Sequence, residues 1–347
     1  ALNKASLALN AATNAFAVAT NAVTTAKANA PKTASALTAA TKASVDSAKA
    51  LTVAKAAAAK AQAEKDAADK AARDAEANAK KIAGDADKKG GEKDAAIKAA
   101  PHVTTLKLVN NRLIPNAIEG RVSIGDYNPG TDHYILTTTS QNPHVTRLLI
   151  CAFVMGIPEN KLTVIGPDIG GGFGSKIHHY GEEALVLAAS KKLGRPVKWT
   201  ATRSESFLAD THGRDHETTI ELACEKDGTF IAIRTDTRAN VGAYLSTFAT
   251  VTPTILHAPT MAGSYRVPNV YVNVKTVFTN TAPVDAYRGA GRPETTYSVE
   301  RVIDKCAREL GIDPIEIRRK NFIKPDQYPF TTAAGLEYDS GNYDALM

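Results

Sequence analysis

The feature that most constrains this chain is an abrupt change in composition near residue 100. Residues 1–100 are dominated by Ala, Lys, Asp, Thr and Asn, with Phe16 as the single aromatic side chain and no glycine before Gly84. Residues 102–347 hold nearly all of the 23 Gly, 11 Tyr and 9 Phe. Because a packed core needs large apolar side chains and turns need glycine, only the second part has the composition of a globular domain.

The first part predicts helix, since Ala has the highest helix propensity and Lys, Glu and Gln follow it. We expect an Ala-rich helical segment over residues 1–83 with a break near Pro31, because proline disrupts a helix interior. Such a helix is either solvated, paired with another Ala-rich helix as in a coiled coil, or partly disordered. Residues 84–101, with Gly90, Gly91 and many charges, are interpreted as a linker.

The net charge divides in the same way as the composition. The 16 Lys and Arg and the 10 Asp and Glu of residues 1–101 account for the whole net charge of +6. The rest of the chain carries 26 side chains of each sign and is neutral. Neutralising phosphates needs clustered cations, which argues against a nucleic-acid-binding surface on the globular part.

The three cysteines, Cys151, Cys224 and Cys306, are far apart in the sequence. Their number and spacing argue against a disulfide framework, a structural zinc site and an iron–sulfur cluster held by this chain alone. The corresponding prediction is a reducing, cytoplasmic compartment. The sequence has no 18-residue apolar run and no visible signal peptide, so no transmembrane helix is expected.

The part from His102 onward alternates strands with helices, which predicts a mixed α and β class. The strand predictions rest on β-branched alternation, and the helix boundaries rest on Asn and Asp caps, Pro at the first position and Gly beyond the end. The predicted strands are 106–114, 134–139, 162–165, 197–202, 218–224, 230–237 and 270–279. The predicted helices are 143–156, 180–193, 294–310 and a short one that begins at Asp313-Pro314.

The most informative motif is Ile165-Gly-Pro-Asp-Ile-Gly-Gly-Gly-Phe-Gly-Ser-Lys176, which leads from a strand toward a helix. Its glycines permit positive φ angles and let backbone N–H groups approach a ligand, and a nearby helix start favours an anion. A tight strand-to-helix turn is the simpler interpretation of this motif alone. The spacing matches neither a P-loop nor a dinucleotide-binding fingerprint.

Two other stretches combine polar groups with flexible backbone. Between Thr279 and Glu294, Arg288 and Arg292 flank Gly-Ala-Gly, and arginine offers a planar fork for phosphate or a polar heterocycle. The alternative is a surface loop whose arginines pair with Asp285 and Glu294. In the stretch 138–144, Gln141 offers an amide to a ligand, and the alternative is ordinary loop or cap chemistry.

Together and in this order, the three stretches resemble the large subunit of the molybdenum hydroxylases, the family of xanthine dehydrogenase, aldehyde oxidase and carbon monoxide dehydrogenase. The resemblance runs from about Thr104 to the end of the chain, and the nearest members are carbon monoxide dehydrogenase large chains or related molybdopterin-binding subunits. The connecting segments that share it are Pro158-Glu-Asn-Lys-Leu, Trp199-Thr-Ala-Thr-Arg-Ser-Glu, Arg214-Asp-His and Gly311-Ile-Asp-Pro.

The resemblance implies an α+β fold in which residues 102–347 form the N-terminal half of a mixed-sheet molybdopterin-binding domain, preceded by a long Ala-rich α-helix. The implied cofactor is a molybdenum-pterin, such as molybdopterin cytosine dinucleotide. The implied partners are an iron–sulfur small subunit with [2Fe–2S] and a medium subunit with FAD, assembled as a dimer of heterotrimers. The implied reaction is hydroxylation of a small molecule with water as the oxygen source.

The resemblance also assigns site residues. Gln141 matches the family's catalytic glutamine, whose amide faces an oxo ligand of molybdenum. Arg288 and Gly289 match positions beside the cofactor. The segment that packs over the metal and its pterin corresponds to Gly171, Gly172, Phe173 and Gly174.

The chain departs from its relatives at three points. Carbon monoxide dehydrogenases carry a copper-binding Cys where this chain has Gly289, which argues against carbon monoxide as the substrate. Ala290 and Leu256 replace an aromatic and an arginine of the purine-oxidising relatives, which favours an aldehyde or an N-heterocycle. The family's general-base glutamate is expected beyond Met347.

Three carboxylates that the chain does carry are interpreted as structural or surface groups rather than as substitutes for that base. They are Glu182, Glu183 and Glu294. An alternative to an enzymatic role also stands. In it, the chain is a catalytically inactive, truncated or fused remnant that acts as a helical spacer or interaction protein.

Overall fold

The computed structural model describes residues 2–28 and 34–347 and divides the chain into two compact units, Ala1–Lys89 and Gly90–Met347. The break predicted near Pro31 lies outside the described residues. Helix α1 spans Leu2–Ala28 and helix α2 spans Ala34–Ala99. Among the described residues, no helix has the length and apolarity that a membrane crossing requires.

Among the side chains of the first unit that the structure describes, the buried ones are alanines. Ala19, Ala54 and Ala61 are buried, whereas Val18 and Val53 are exposed. The spacing of seven between Ala54 and Ala61 is the repeat of a helix that presents one narrow face for close packing. Alanine side chains add little buried apolar area, so intrinsic helix propensity supplies much of the stability of this unit.

The segment interpreted as a linker, 84–101, is helical as far as Ala99. That interpretation gave too much weight to its glycines. Each glycine costs a helix only about 1 kcal/mol, and the surrounding Ala, Lys, Glu and Asp tolerate helix well. The end of α2 is also anchored, because Ile97 is buried against Ala223 and Ala232.

The second unit contains two four-stranded sheets and one short two-stranded sheet. This arrangement confirms the α+β class with mixed sheets. The strands are β1 His102–Asn110, β2 Val122–Asn128, β3 His133–Thr138, β4 Leu162–Ile165, β5 Val197–Thr200, β6 His216–Cys224, β7 Phe230–Gly242, β8 Asn269–Phe278, β9 Phe330–Thr331 and β10 Glu337–Tyr338. The further helices are α3 Pro143–Leu149, α4 Gly181–Leu193, α5 Arg203–Ala209, α6 Arg292–Leu310, α7 Pro314–Asn321 and α8 Tyr343–Leu346.

The first sheet has the order β1-β6-β7-β8, with β7 and β8 parallel and the other pairs antiparallel. Helix α6 covers it, and Val299, Val302 and Ile303 of that helix are buried in the core. Two thiols meet in this core, with 3.4 Å between the Sγ atoms of Cys224 and Cys306. All three cysteines are free and buried.

The second sheet has the order β4-β3-β2-β5 and packs against helix α4. Strand β2, which the sequence analysis did not predict, is one of its central strands. Gly125 in β2 lets α4 approach closely, because a Cβ there would lie 2.5 Å from the Val186 backbone carbon. Strand β2 was missed because its Gly and Asp are poor strand formers, and only tertiary packing compensates for them.

The helix predicted over residues 143–156 has two parts. Asn142 caps it through its side-chain oxygen, Pro143 is its first residue, and Gly156 ends it in the left-handed conformation, as predicted. Between these points, α3 is α-helical and the following turn, Ile150–Met155, is a π-helix. Because a π turn is wider than an α turn, it changes the direction in which the following side chains point.

Candidate cofactor-binding site

Gln141 lies at the end of strand β3, just before the cap of α3. Its side-chain oxygen Oε1 accepts hydrogen bonds from the backbone N–H groups of Gly174 at 3.0 Å and Lys176 at 3.3 Å. Its own backbone N–H donates to the Lys176 carbonyl at 2.8 Å. These bonds fix which end of the amide is oxygen, and among the described residues the two N–H donors of Nε2 have no partner, so they are available for a ligand.

The Gly-Phe turn, 171–174, approaches Gln141 closely. A Cβ on Gly172 would lie 2.2 Å from Gln141 Oε1, so no other residue fits there without moving the amide. Gly171 and Gly174 have φ angles of 92° and 109°, which are natural only for glycine. Phe173 has a φ of 53° and is 45% exposed, so its ring is presented at the surface of the turn.

The loop of residues 286–291, called the Arg288 loop below, meets this turn directly. The Arg288 backbone N–H donates to the Phe173 carbonyl at 2.9 Å. A Cβ on Gly174 would lie 2.3 Å from the Ala286 carbonyl oxygen, so the two backbones are in contact. The structure therefore brings the Gln141 amide, the Gly-Phe turn and the backbone of Arg288 together.

The alternative in which the two loop arginines pair with Asp285 and Glu294 is wrong. Glu294 instead lies 3.1 Å from a guanidinium nitrogen of Arg214, and Asp285 lies 3.3 Å from His178. Among residues 2–28 and 34–347, the Arg288 guanidinium has no hydrogen-bond or ion-pair partner. An exposed cation next to a glycine-rich backbone remains open to an anionic or polar ligand.

Lys176 and Glu119 secure the start of the turn. The Lys176 ammonium is almost fully buried and donates to Glu119 Oε2 at 3.0 Å. The same carboxylate oxygen accepts the Gly170 N–H at 2.7 Å. Burial acts to raise the pKa of Glu119, but the Gly170 N–H and the Lys176 cation outweigh it and hold the pKa below its ordinary value. The carboxylate therefore stays ionised and ties the glycine run to the preceding segment.

His178 and Asp285 lie behind the contact between the two loops, and both side chains are fully buried. The Asp285 carboxylate accepts the backbone N–H of Phe248 at 2.8 Å. Burial lowers the pKa of His178, and the Asp285 charge only partly offsets this effect. The backbone N–H of Phe248 therefore holds the Asp285 carboxylate beside an imidazole whose neutral form is favoured by burial.

Glu182 and Glu183 have structural partners, in keeping with their interpretation as structural or surface groups. Glu182 pairs with Arg121 at 3.2 Å, and Arg121 also pairs with Asp210 at 2.6 Å. Glu183 accepts the Tyr180 N–H at 3.2 Å at the start of α4. These contacts occupy both carboxylates in fixing the helix that follows the turn.

A separate cleft of about 760 Å³ lies beside α4 and the π-helical turn. Phe153, Leu208 and Tyr244 line it and are exposed. None of the residues predicted to bind the cofactor lines this cleft. Its size therefore does not identify it as the cofactor site, and the amide and arginine chemistry lies elsewhere.

Comparison with known proteins identifies the family. The family described as molybdopterin cofactor-binding domain matches residues 74–322, which include Gln141, the Gly-Phe turn and Arg288. The chain belongs to this family. The match begins inside helix α2, earlier than the resemblance from about Thr104.

The curated relatives of this molybdopterin-binding chain are subunits of oxidoreductases. It is 38% identical to the carbon monoxide dehydrogenase large chain of Hydrogenophaga pseudoflava over 253 residues, or 72% of this chain and 31% of that protein. It is 33% identical to the nicotine 6-hydroxylase large subunit of Paenarthrobacter nicotinovorans over 254 residues, or 70% and 30%. The chain thus spans about a third of the length of these relatives.

Solved structures give the same result. Quinoline 2-oxidoreductase from Pseudomonas putida 86 matches with a TM-score of 0.69 and 34% identity, over 72% of this chain and 32% of that one. Carbon monoxide dehydrogenase from Oligotropha carboxidovorans matches with a TM-score of 0.68 and 35% identity, over 74% and 32%. The matched part of this chain therefore shares the fold of the corresponding third of these proteins.

The residues present suit a molybdenum-pterin. The Gln141 amide has free donors, the Arg288 guanidinium is exposed, and the glycines hold a cradle that a Cβ would fill. In the described part of the chain, no cluster of three or more His, Cys, Asp or Glu side chains could hold a metal ion. A metal carried by the sulfur atoms of a pterin needs no such cluster.

Sequence reasoning missed the residues that support the site, namely Arg214, Lys176, Glu119, His178 and Asp285. Arg214 had been noticed only as part of a shared segment. Its burial depends on Glu294, which is remote in the sequence, and no local pattern distinguishes a buried charged side chain from an exposed one. The glycine next to it, Gly213, was the available signal, since a Cβ there would lie 2.2 Å from Tyr287 Cβ.

Proposed function

We propose that this chain supplies the molybdopterin-binding part of a molybdenum hydroxylase large subunit. The observation that carries the proposal is the orientation of the Gln141 amide, whose oxygen is held by two backbone N–H groups. That arrangement leaves two N–H donors for a ligand oxygen. A chain that served only as a helical spacer would not need an oriented amide on the same turn that binds the Arg288 backbone.

In this proposal, Gln141 donates hydrogen bonds to an oxygen at the reacting centre and acts as the catalytic residue of this chain. Gly171, Gly172, Phe173 and Gly174 pack over the cofactor, where the absence of side chains permits close approach of backbone N–H groups. Arg288 and the backbone of Gly289 bind beside it. The molybdenum-pterin, once bound, supplies oxidative hydroxylation with water as the oxygen source.

The proposed substrate class is an aldehyde or an N-heterocycle rather than carbon monoxide. Gly289 has a φ of 88°, and a Cβ there would lie 2.7 Å from Pro293 Cγ. The loop is therefore built for glycine at the position of the copper-binding cysteine. Leu256 also lies at this loop, since a Cβ on Gly291 would lie 2.7 Å from its backbone carbon. A leucine there favours an apolar substrate edge over a purine.

The proposed partners are an iron–sulfur subunit and a FAD subunit that carry electrons away from the site, in a dimer of heterotrimers. The support is that several relatives are named as large or gamma subunits of complexes. The proposed cofactor form is molybdopterin cytosine dinucleotide or a close variant.

The proposal is tested by producing the full chain in a host that makes molybdopterin and measuring molybdenum and pterin per purified chain. The wild-type chain is expected to retain both. Arg288→Ala and Gln141→Ala should each lower the pterin content. Arg288→Ala removes an exposed side chain, whereas Gln141→Ala removes both the amide donors and the acceptor of two backbone N–H groups of the turn. A wild-type chain that carries neither molybdenum nor pterin would contradict the proposal.

Matched controls separate a lost contact from a lost fold. Arg195→Ala removes an exposed arginine in the turn after α4, away from the site. Gln327→Ala removes a glutamine that caps a short helix near the C-terminal end. Both variants should keep the wild-type pterin content. A similar loss in a control and in its site variant would show that the assay reports folding rather than binding.

A further inference from the structure

One buried side chain, Arg214, connects both ends of the Arg288 loop. Its Nη1 donates to the Tyr287 carbonyl at 3.1 Å, and its Nη2 donates to the Arg288 carbonyl at 2.7 Å. Nη1 also donates to Glu294 Oε1 at 3.1 Å, in the first turn of α6. A single planar group therefore holds two successive carbonyls at one end of the loop and the helix start at the other.

The charges of this arrangement are removed from solvent. The Arg214 side chain is 7% exposed and the Glu294 side chain is 2% exposed. A buried ion pair persists only with good geometry and additional hydrogen bonds, and the two carbonyls supply those bonds. Lysine could not replace the guanidinium, because a single ammonium lacks the planar fork that reaches three acceptors.

The backbone that carries Arg214 is itself held in an unusual conformation. Arg214 and Asp215 have φ angles of 65° and 66°, which are unfavourable for residues other than glycine. The Asp215 carboxylate is fixed by Arg112 at 2.9 Å and by Asn240 at 2.8 Å. Strain of this kind persists where the surroundings over-determine it, and it concentrates at functional sites.

Resting on the proposed function, we propose that Arg214 is a positioning residue that directs the Arg288 side chain toward the molybdenum-pterin. It does so by fixing the carbonyls before and after the Arg288 Cα, with Glu294 as its counter-charge. Arg214 itself is turned away from the ligand, because its guanidinium is occupied by Tyr287, Arg288 and Glu294. Its effect on the cofactor therefore passes through Arg288.

A double-mutant cycle on the full chain tests this dependence. Affinity for the molybdenum cofactor released from a carrier protein is measured by pterin fluorescence for wild type, Arg214→Lys, Arg288→Ala and the double variant. Losing a charge-assisted hydrogen bond predicts about tenfold weaker binding for Arg214→Lys. In the Arg288→Ala background the same change should weaken binding by less than about twofold, because coupled residues are not additive.

Arg318→Lys is the matched control. Arg318 also pairs with two carboxylates, those of Glu300 and Asp304, at 2.8 Å each, and donates to the Pro314 carbonyl at 2.9 Å. In the described part of the chain it has no hydrogen bond or ion pair with Tyr287, Arg288 or Glu294, so its replacement should leave cofactor affinity within about twofold of wild type. An equal loss from Arg214→Lys with and without Arg288 would overturn the proposal, since it would show general structural support.

A cofactor-free measurement separates this inference from the proposed function. Hydrogen–deuterium exchange of residues 286–291 in the chain without cofactor should accelerate at least about tenfold in Arg214→Lys and remain unchanged in Arg318→Lys. A wild-type chain that binds no cofactor would overturn the proposed function, and exchange would then test the positioning alone. Unchanged exchange in Arg214→Lys would overturn the positioning, whatever the chain binds.

Discussion

The two loops that meet at the site are held in place by opposite means. The Gly-Phe turn, 171–174, is shaped by the absence of side chains, with backbone packed on backbone and on the Gln141 amide. The Arg288 loop is shaped by a side chain from elsewhere, since the buried Arg214 guanidinium binds its carbonyls. The conformation of the Gly-Phe turn follows from its own residues, whereas the contacts of Arg214 with the Arg288 loop form only after the chain has folded.

This difference means that the two loops should fail in different ways. The Gly-Phe turn should lose its conformation when a Cβ is added at Gly174, because the atoms that this Cβ would meet belong to the backbone of Ala286 and Tyr287. The Arg288 loop should lose its conformation when either Arg214 or Glu294 loses its charged partner, even though no atom of the loop itself has changed. Substitutions of one residue at a time can therefore distinguish the two devices.

The largest expected effect comes from removing the counter-charge of the Arg288 loop. Glu294→Ala should lower the free energy of unfolding by about 3–5 kcal/mol, because it leaves the Arg214 charge buried and unpaired. The measurement is urea denaturation followed by the fluorescence of Trp199, the single tryptophan.

The control for this prediction is Glu316→Ala, which removes an exposed carboxylate paired with Arg319 on α7. Its expected cost is less than about 1 kcal/mol, since exposed ion pairs contribute little. If Glu294→Ala cost no more than Glu316→Ala, the Arg288 loop would not depend on a buried charge, and the contrast between the loops would fail.

A smaller effect is expected from crowding the Gly-Phe turn. Gly174→Ala should lower the free energy of unfolding by about 3 kcal/mol, from a strained positive φ and an overpacked contact. The new Cβ would lie 2.3 Å from the Ala286 carbonyl oxygen. Gly181→Ala is the control, because nothing lies within 4 Å of a Cβ at that position. Equal stabilities of the two variants would contradict the description of the turn.

The effect that is smallest at neutral pH is a pH dependence on the side of the Arg288 loop. Burial, then the neighbouring His257 and Arg214, lowers the pKa of His216 from its ordinary 6.5 to about 3. Between these values the unfolded chain binds a proton that the folded chain does not. The stability that depends on a neutral His216 is therefore complete above pH 6.5. It is lost as the pH falls toward 3, by about 1.4 kcal/mol of unfolding free energy per pH unit.

Urea denaturation at a series of pH values checks this prediction, with His216→Gln as the variant. The variant should show a shallower loss of stability below pH 6.5 and a parallel curve above it. If the slope of unfolding free energy against pH below 6.5 were the same in His216→Gln and wild type, protonation of His216 would not be a cause of the acid destabilisation.

The elements that were predicted correctly share a local cause. The strands predicted over 218–224 and 230–237 correspond to β6 and β7, and the helix predicted over 294–310 corresponds to α6. These predictions rest on β-branched alternation and on a helix-ending glycine within one segment. The elements that were missed lack such a cause. Strand β2 is held by its neighbours in the sheet, and the end of α2 is held by Ile97 against the first sheet.

By itself, the sequence determined the division near residue 100, the Gly-Phe turn, the neighbouring Gln141 and Arg288 segments and their family resemblance. Only the tertiary structure decided which charges are buried and with whom, so that Arg214 rather than Arg288 pairs with Glu294. The reason is physical. A turn is specified by the φ angles its own residues can adopt, whereas the pairing of a charge depends on desolvation and on partners brought from distant parts of the chain.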